Sequence, residues 1–158
     1  MDAIVEQWAQ ERPDLDLAPM ALLGRAARVS VALMKEFDAF AARYGFTAGE
    51  VDVLFALRRS GSPYTLTPSE LARTLMLSPA GITNRIDKLE RAGLVTRALD
   101  PDDRRSFRVA LTAEAVALAD EIVTEHVANE ARLLEALSPA DRKHLDRVLR
   151  KLLQAFLR

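Results

Sequence analysis

The helix predicted from Pro79 to about Ala92 combines an apolar stripe with an opposite face of small and hydrogen-bonding side chains. At about 100° per residue, Ile82, Ile86 and Leu89 share the stripe, which predicts that they face a core. The other side and its edges carry Ala80, Gly81, Thr83, Asn84, Asp87, Lys88 and Arg91. Small residues permit close approach, an asparagine amide can pair with adenine, and a lysine reaches guanine or phosphate. The pattern fits a helix in the major groove of DNA, although an isolated helix of this kind is more often simply solvated.

A second group of cations surrounds a predicted turn in the segment DPDDRRSFRVALT, residues 100–112. Arg104 and Arg105 stand beside the turn, where a long cationic side chain can enter the minor groove or grip phosphate. Arg97 and Arg108 are predicted to be phosphate neighbours. The alternative is that these arginines pair with the aspartates of the turn. The predicted DNA contacts are Ser78, Ala80, Gly81, Thr83, Asn84, Lys88, Arg104 and Arg105.

Capping signals indicate that two short helices precede this turn. Thr67 and Glu70 form a capping box with Pro68 at the first helical position, and Ser78 followed by Pro79 repeats the signal eleven residues later. A tight turn must therefore lie near residues 76–77, and a glycine at position 93 ends the second helix. Two short helices joined by a tight turn are the helix-turn-helix pattern.

After the helix pair the apolar period becomes that of strands, over residues 94–99 and 106–111. Around this unit, apolar periodicity and caps predict helices at residues 3–11, about 22–45, 47–60, 112–137 and from 139 onward, with a loop at 60–66. The predicted fold class is mainly α with a small β wing, a winged helix-turn-helix in a single domain spanning residues 1–158.

Composition limits the function classes. The 158 residues are 49% hydrophobic and 28% charged, as in a globular protein, and no segment has the length of a membrane span or a signal peptide, which predicts a cytoplasmic protein. The absence of cysteine excludes disulfides and thiolate chemistry. His126 and His144 lack metal-ligand or nucleophile-base spacing and are interpreted as ordinary helix residues. The sequence therefore predicts no catalytic residues, no metal and no cofactor.

Charge argues against a protein that coats nucleic acid without selectivity. The net charge is −1, and residues 78–108 contain seven basic residues against five acidic ones. Affinity for DNA must then come from where the cations point and from two copies acting together. An alternative stays open, a winged helix that binds proteins instead of DNA. It is favoured by the near-neutral charge and by Asp87 on the polar face of the helix predicted from Pro79.

Three motifs carry a resemblance to a known family: LTPSELARTLMLSP (66–79), SPAGITNRIDKLERAGLV (78–95) and DPDDRRSFRVALT (100–112). In their order they resemble the MarR family of winged helix-turn-helix regulators over nearly the full chain. The resemblance implies an obligate homodimer with interleaved terminal helices (1–46 and 113–158) around a DNA-binding region (47–112). It also implies that the dimer binds a pseudo-palindromic operator and usually represses transcription until a small ligand binds. The last helix agrees with dimerisation, since it has more apolar positions than the surface helix of a monomer should show.

A finer resemblance concerns the ligand. The segments QWAQERPDLD (7–16), GEVDVLFALRRSGSPYTLTP (49–68) and TNRIDKLE (83–90) are similar to the urate-responsive branch of the family, the PecS- and HucR-type regulators. The resemblance implies ligand contacts at Trp8, Asp52 and Arg85, and places Ser60 where the branch has an asparagine. The implied ligand is a small aromatic anion, urate or a phenolic acid.

The residue types suit such a ligand. The projection places Arg85 about 65° from the centre of the apolar stripe, so its side chain can reach inward. Arg85 supplies a bidentate donor fork, Asp52 accepts hydrogen bonds and Trp8 offers a stacking face. The alternative is a structural ion pair between Asp52 and Arg85, with Trp8 an ordinary core residue.

Overall fold

The computed structural model describes residues 1–100 and 106–156, so Arg104 and Arg105 lie outside the described residues. The helices are α1 (Asp2–Glu11), α2 (Ala18–Ala42), α3 (Ala48–Arg59), α4 (Pro68–Thr74), α5 (Pro79–Arg91), α6 (Ala113–Leu133) and α7 (Pro139–Phe156). The strands are β1 (Thr65–Leu66), β2 (Val95–Leu99) and β3 (Phe107–Leu111). The mainly helical fold with a small β wing is confirmed.

Local capping sets where the central helices begin. Thr47 accepts a hydrogen bond from the Glu50 amide, and the Glu50 carboxylate accepts one from the Thr47 amide at 2.8 Å. Thr67 and Glu70 form the same reciprocal pair at the start of α4. Both predicted capping boxes are therefore confirmed, and α4 and α5 contact each other as a helix-turn-helix pair.

The core lies where α3, α4, α5, α6 and the sheet meet. The predicted stripe of α5 faces it, since Ile82, Ile86 and Leu89 are at most 1% exposed. Leu54 of α3 and Ile122 of α6 are fully buried against the same cluster. This burial fixes which face of α5 remains outside.

The sheet has the order β1-β3-β2, and both neighbouring pairs are antiparallel. The two predicted strands are confirmed as β2 and β3, which pair antiparallel with Val95 opposite Leu111. The sequence interpretation placed residues 60–66 entirely in a loop, which is wrong for Thr65 and Leu66, because these two residues pair with β3. A strand of two residues is too short to show an alternating pattern, so only its distant partner defines it.

The terminal helices leave apolar surface exposed. Helix α7 buries none of its residues in the protomer. Its exposed apolar side chains are Leu145, Leu149, Leu152, Leu153 and Phe156, and those of α2 include Leu22, Leu23, Val29 and Val31. Within the described part of the chain, no helix is long and apolar enough to cross a membrane.

Candidate nucleic-acid interface and ligand pocket

The outer face of α5 is built on a capped N-terminus. The Ser78 hydroxyl accepts a hydrogen bond from the Gly81 amide at 3.2 Å, and the Thr83 hydroxyl donates one to the Pro79 carbonyl at 3.0 Å. The Asn84 side chain is exposed and makes no hydrogen bond to another described residue. The structure therefore brings the predicted small and polar residues to one exposed face, where the Asn84 amide is available to a base edge.

Lys88, the predicted cation of this face, is tied to the preceding helix. Its ammonium nitrogen lies 3.0 Å from Oε1 of Glu50, whose side chain is 7% exposed. Burial alone would raise the pKa of Glu50, but the hydrogen bonds from Thr47 and Lys88 outweigh it and hold the pKa below its ordinary value. Lys88 thus joins α5 to α3 in the free protein, and any contact it makes with DNA competes with Glu50 for its charge.

The predicted phosphate neighbours of the wing are also engaged internally. Arg97 of β2 binds Asp87 of α5, and its Nε lies 3.3 Å from Oε2 of Glu90. Arg108 of β3 lies 3.0 Å from Oδ2 of Asp100. The ion pair with Arg97 compensates the charge of Asp87 and joins α5 to β2 of the wing.

A cavity of about 280 Å³ lies among α2, α3 and α6. Aromatic side chains form much of its wall, and two carboxylates and one imidazole complete the polar part. The residues that line it are Met34, Phe37, Phe40, Ala41, Ala48, Val51, Asp52, Phe55, His126 and Glu130. It has the mixture of apolar wall and few polar groups that small-molecule sites show.

His126 lies at the centre of the aromatic wall. Its ring centroid is 5.3–5.4 Å from those of Phe37, Phe40 and Phe55, and its Nε2 lies 3.2 Å from Oε1 of Glu130. The sequence interpretation treated His126 as an ordinary helix residue. Its spacing of four residues from Glu130 predicts the contact between the two, but the three phenylalanines come from α2 and α3, so their meeting needs the tertiary fold.

The four predicted ligand residues do not come together in one protomer. Asp52 lines the cavity. Arg85 donates to the Gly49 carbonyl at 3.3 Å and fills the space beside that glycine, where an added Cβ would lie 2.3 Å from its Cζ. Trp8 lies on α1, 45% exposed, and Ser60 ends α3 with its hydroxyl donating to the Leu57 carbonyl at 2.7 Å. Neither Trp8 nor Ser60 lines the cavity.

The alternative interpretation, an Asp52–Arg85 ion pair with Trp8 in the core, does not describe the protomer either. Asp52 and Arg85 are close enough to interact electrostatically, but no ion pair joins them within the described ranges. Trp8 is too exposed to be an ordinary core residue of the protomer. Asp52 therefore faces the cavity with an uncommitted carboxylate.

The surroundings of Asp52 make its charged form unfavourable. Burial raises the pKa of Asp52, and the charges of Arg85, His126 and Arg59 only partly oppose this rise. A carboxyl whose pKa is higher in the folded than in the unfolded state stabilises the fold below the unfolded value, near pH 3.9, and loses that contribution as pH rises through the folded value.

We therefore expect Asp52→Asn to raise the midpoint of thermal unfolding at pH 7 by a small amount: the amide removes a disfavoured charge, but Asp52 is partly exposed in the protomer and water screens much of the penalty. The difference from the parent protein should shrink as pH falls through the raised pKa of Asp52, because the parent carboxyl then becomes neutral. Thermal unfolding followed by circular dichroism across this range measures it, with Glu135→Gln, an exposed position outside the cavity, as the control. A less stable Asp52→Asn protein at pH 7 would show that the carboxylate is satisfied in the fold.

A capped helix pair, an exposed polar face on its second helix and an antiparallel wing define the class of this molecule, a winged helix-turn-helix DNA-binding protein. Residues 44–106 match the model of the MarR family. The chain is 41% identical to the HTH-type transcriptional regulator PecS of Dickeya dadantii over 92% of this chain and 88% of that protein. The chain therefore belongs to the MarR family, and it is a transcriptional regulator, not an enzyme.

Solved structures agree with this assignment. The chain is 29% identical to BpsR of Bordetella bronchiseptica, with a TM-score of 0.69 over 84% of this chain and 90% of that one. BpsR is described as regulated in its DNA binding by 6-hydroxynicotinic acid. A variant of MarR from E. coli in complex with operator DNA has the same fold, with a TM-score of 0.75 at 23% identity over 87% of this chain and 97% of that one.

Proposed function

We propose that this protein is a ligand-responsive repressor that binds a pseudo-palindromic operator as a homodimer in the cytoplasm. The observation that carries the proposal is the exposed face of α5, where Thr83 and Asn84 follow the small residues Ala80 and Gly81. Such a face can approach base edges closely while its N-terminal amides favour phosphate. Arg104 and Arg105, in the segment between the two strands of the wing, are proposed to contact the minor groove and the phosphate backbone.

Homodimerisation is supported by the exposed apolar surface of the terminal helices. Helix α7 presents a stripe with the spacing Leu145, Leu149, Leu152 and Phe156, which a monomer would leave in water. We propose that residues 1–46 and 113–158 form the dimer and that residues 47–112 bind DNA. A two-fold axis then presents two copies of α5 to two half-sites of one operator.

Ligand response is supported by the contacts between the cavity wall and α5. Helix α3 contributes Asp52 to the cavity, and two cations of α5 fasten onto the first turn of the same helix: Lys88 at Glu50 and Arg85 at the Gly49 carbonyl. A ligand that moves α3, or that attracts Arg85 from the Gly49 carbonyl, would change the position of α5 relative to its twin. Affinity for the operator then falls by linkage.

The resemblance to the urate-responsive branch implies urate or a phenolic acid as the ligand. In this proposal Asp52 accepts hydrogen bonds from the ligand and Arg85 turns towards it. Trp8 and Ser60 lie outside the cavity of one protomer, so their contribution would require the dimer to bring them to it.

Fluorescence anisotropy with the DNA upstream of the gene tests the proposal. We expect tight binding to one palindromic site, much weaker binding to a shuffled duplex, and an affinity that falls steeply as salt rises. Equal affinity for both duplexes would contradict the proposal. A stable complex with another protein and no shift of any upstream fragment would favour the protein-binding alternative instead.

Asn84 gives a sharper test of the reading face. We expect Asn84→Ala to lose about 1–3 kcal/mol of discrimination at a single operator position, because the amide that pairs with a base is removed. Binding to a panel of single-base operator variants measures this, and Gln10→Ala, which removes an exposed amide from α1, is the control. A uniform loss of affinity across the panel would assign Asn84 to the DNA backbone.

A further inference from the structure

The two long strands of the wing share one face that is directed at α5. Residues directly opposite each other in an antiparallel pair point to the same face, and every second residue of a strand returns to it. Three opposed pairs lie on this face, in order from the core outward: Val95–Leu111, Arg97–Val109 and Leu99–Phe107. The first pair and Val109 are buried in the core, and Arg97 contacts two carboxylates of α5. This face is therefore the α5 side of the wing.

The third pair, Leu99 and Phe107, continues the apolar face beyond the core. It lies about 7 Å further along the strands than Arg97. Leu99 is 60% exposed and Phe107 is 47% exposed, and within the described ranges neither belongs to the buried core nor to the residues packed against it. The Asp100 amide donates to the Ser106 carbonyl at 3.0 Å just beyond the pair, so the ladder holds both residues in place. The wing thus carries a fixed apolar pair that is left in water.

The position of this pair relative to α5 indicates what can cover it. If α5 occupies a major groove and the wing the neighbouring minor groove, one sugar-phosphate strand passes between them, because a strand of the duplex separates neighbouring grooves. The phosphates of that strand are charged, but its deoxyriboses are its least polar part and form the walls of the minor groove. Leu99 and Phe107 lie on the side of the wing where this strand passes.

The surroundings of the pair favour DNA over a second copy of the chain. Arg104 and Arg105, the proposed contacts of the minor groove and backbone, belong to the segment that joins the same two strands. The apolar surface that suits a second copy lies on the terminal helices α2 and α7 instead. The pair is therefore continuous with the proposed DNA interface and separate from the proposed dimer interface.

We propose that Leu99 and Phe107 pack against deoxyriboses of the operator strand that runs between α5 and the wing. The inference rests on the proposed operator binding and adds an apolar contact to it. Burial of the two side chains against sugars stabilises the complex in proportion to the apolar area removed from water. It neutralises no phosphate and releases no counterion, so its contribution does not depend on salt, in contrast to that of an arginine.

Hydroxyl-radical footprinting tests this contact directly, because the radical cleaves DNA at deoxyriboses that solvent reaches. We expect the intact protein to protect the sugars between the α5 contacts and the wing contacts of each half-site. The double variant Leu99→Thr/Phe107→Thr should lose protection at these sugars and keep it elsewhere. Anisotropy should show binding about 3- to 10-fold weaker at every salt concentration, with an unchanged slope of log affinity against log salt.

The substitutions are chosen to preserve the strands. Threonine is β-branched and suits a strand, so the double variant removes apolar surface while it keeps the ladder. Ala98→Thr places the same residue on the opposite face of β2 and is the matched control, which should leave both the footprint and the affinity unchanged. Hydrogen exchange of the free proteins should be equal in β2 and β3 for the parent and both variants.

Four results would overturn the inference. The first two are a footprint that the double variant keeps and a loss of protection spread evenly over all contacted sugars. The third is faster exchange of the β2 and β3 amides in the double variant, which would give the pair a structural role. The fourth is a changed oligomeric state in size exclusion, which would assign the pair to an interface between protomers. A parent protein that protects no sugar of any upstream fragment would contradict the proposed function itself, whereas a footprint kept by the double variant contradicts only this inference.

Discussion

Replacing both Leu149 and Leu152 of α7 with glutamate is expected to convert the protein to monomers and to lower its operator affinity by at least about 100-fold. Both side chains lie on the apolar face of α7, 48% and 38% exposed in the protomer, so the double variant leaves the core of the protomer intact. In a dimer the same positions would be buried, and a carboxylate there would lack a partner. The two recognition helices would then act as separate half-site binders.

The matched control lies on the other face of the same helix. Arg147→Glu introduces the same charge among the polar residues of α7 and should leave the dimer and its affinity in place. Light scattering after size exclusion gives the oligomeric state, and anisotropy on the full operator and on a half-site gives the affinities. A double variant that remains dimeric would move the interface away from α7. A monomer that retains full affinity would remove the need for a dimer.

The elements of this fold that the sequence predicts are the ones that depend on neighbours along the chain. Capping boxes need only residues three apart, so the starts of α3 and α4 could be located before any tertiary structure was known. The stripe of Ile82, Ile86 and Leu89 is likewise a property of one helix. These local rules are sufficient to predict the helix-turn-helix and the exposed face that carries Asn84.

The pocket could be predicted only in part, because its walls come from three separate helices. The family resemblance predicts Asp52, whereas the place of His126 becomes visible only when α6 packs against α3 and the phenylalanines meet around it. Sequence spacing predicts that Lys88 contacts DNA. It does not reveal the competing ion pair with Glu50, which lies 38 positions earlier in the chain. The identity of the reading face follows from periodicity, but the partners of its cations depend on long-range packing.

Packing gives Arg97 a role that its sequence position does not predict: it is predicted to neighbour phosphate, and in the structure it also joins β2 of the wing to α5. Its guanidinium contacts two carboxylates of the recognition helix, Asp87 and Glu90. Asp87 lies near the side of α5 that is proposed to face DNA, where an uncompensated negative charge would repel phosphate. Arg97 therefore both positions the wing and neutralises the acids of the reading helix.

We expect Arg97→Met to weaken operator binding by up to about 10-fold, because the carboxylates of Asp87 and Glu90, 44% and 42% exposed, would lose their cation and repel phosphate across partly screening water. The loss should be larger at low salt, where repulsion between the freed carboxylates and phosphate is less screened. Anisotropy across a salt series measures both effects. Arg28→Met, which removes an exposed arginine from α2, is the control for lost positive charge.

A double variant separates the two roles of Arg97. If repulsion dominates, adding Asp87→Asn to Arg97→Met should restore much of the lost affinity. The single variant Asp87→Asn keeps the contact of Arg97 with Glu90. If the position of the wing dominates, the double variant should bind as weakly as Arg97→Met, because the link between β2 and α5 is absent in both. Unchanged affinity in Arg97→Met would contradict both roles. It would also favour the alternative that this face of α5 does not bind DNA, because an uncompensated carboxylate at Asp87 would then have no effect on operator affinity.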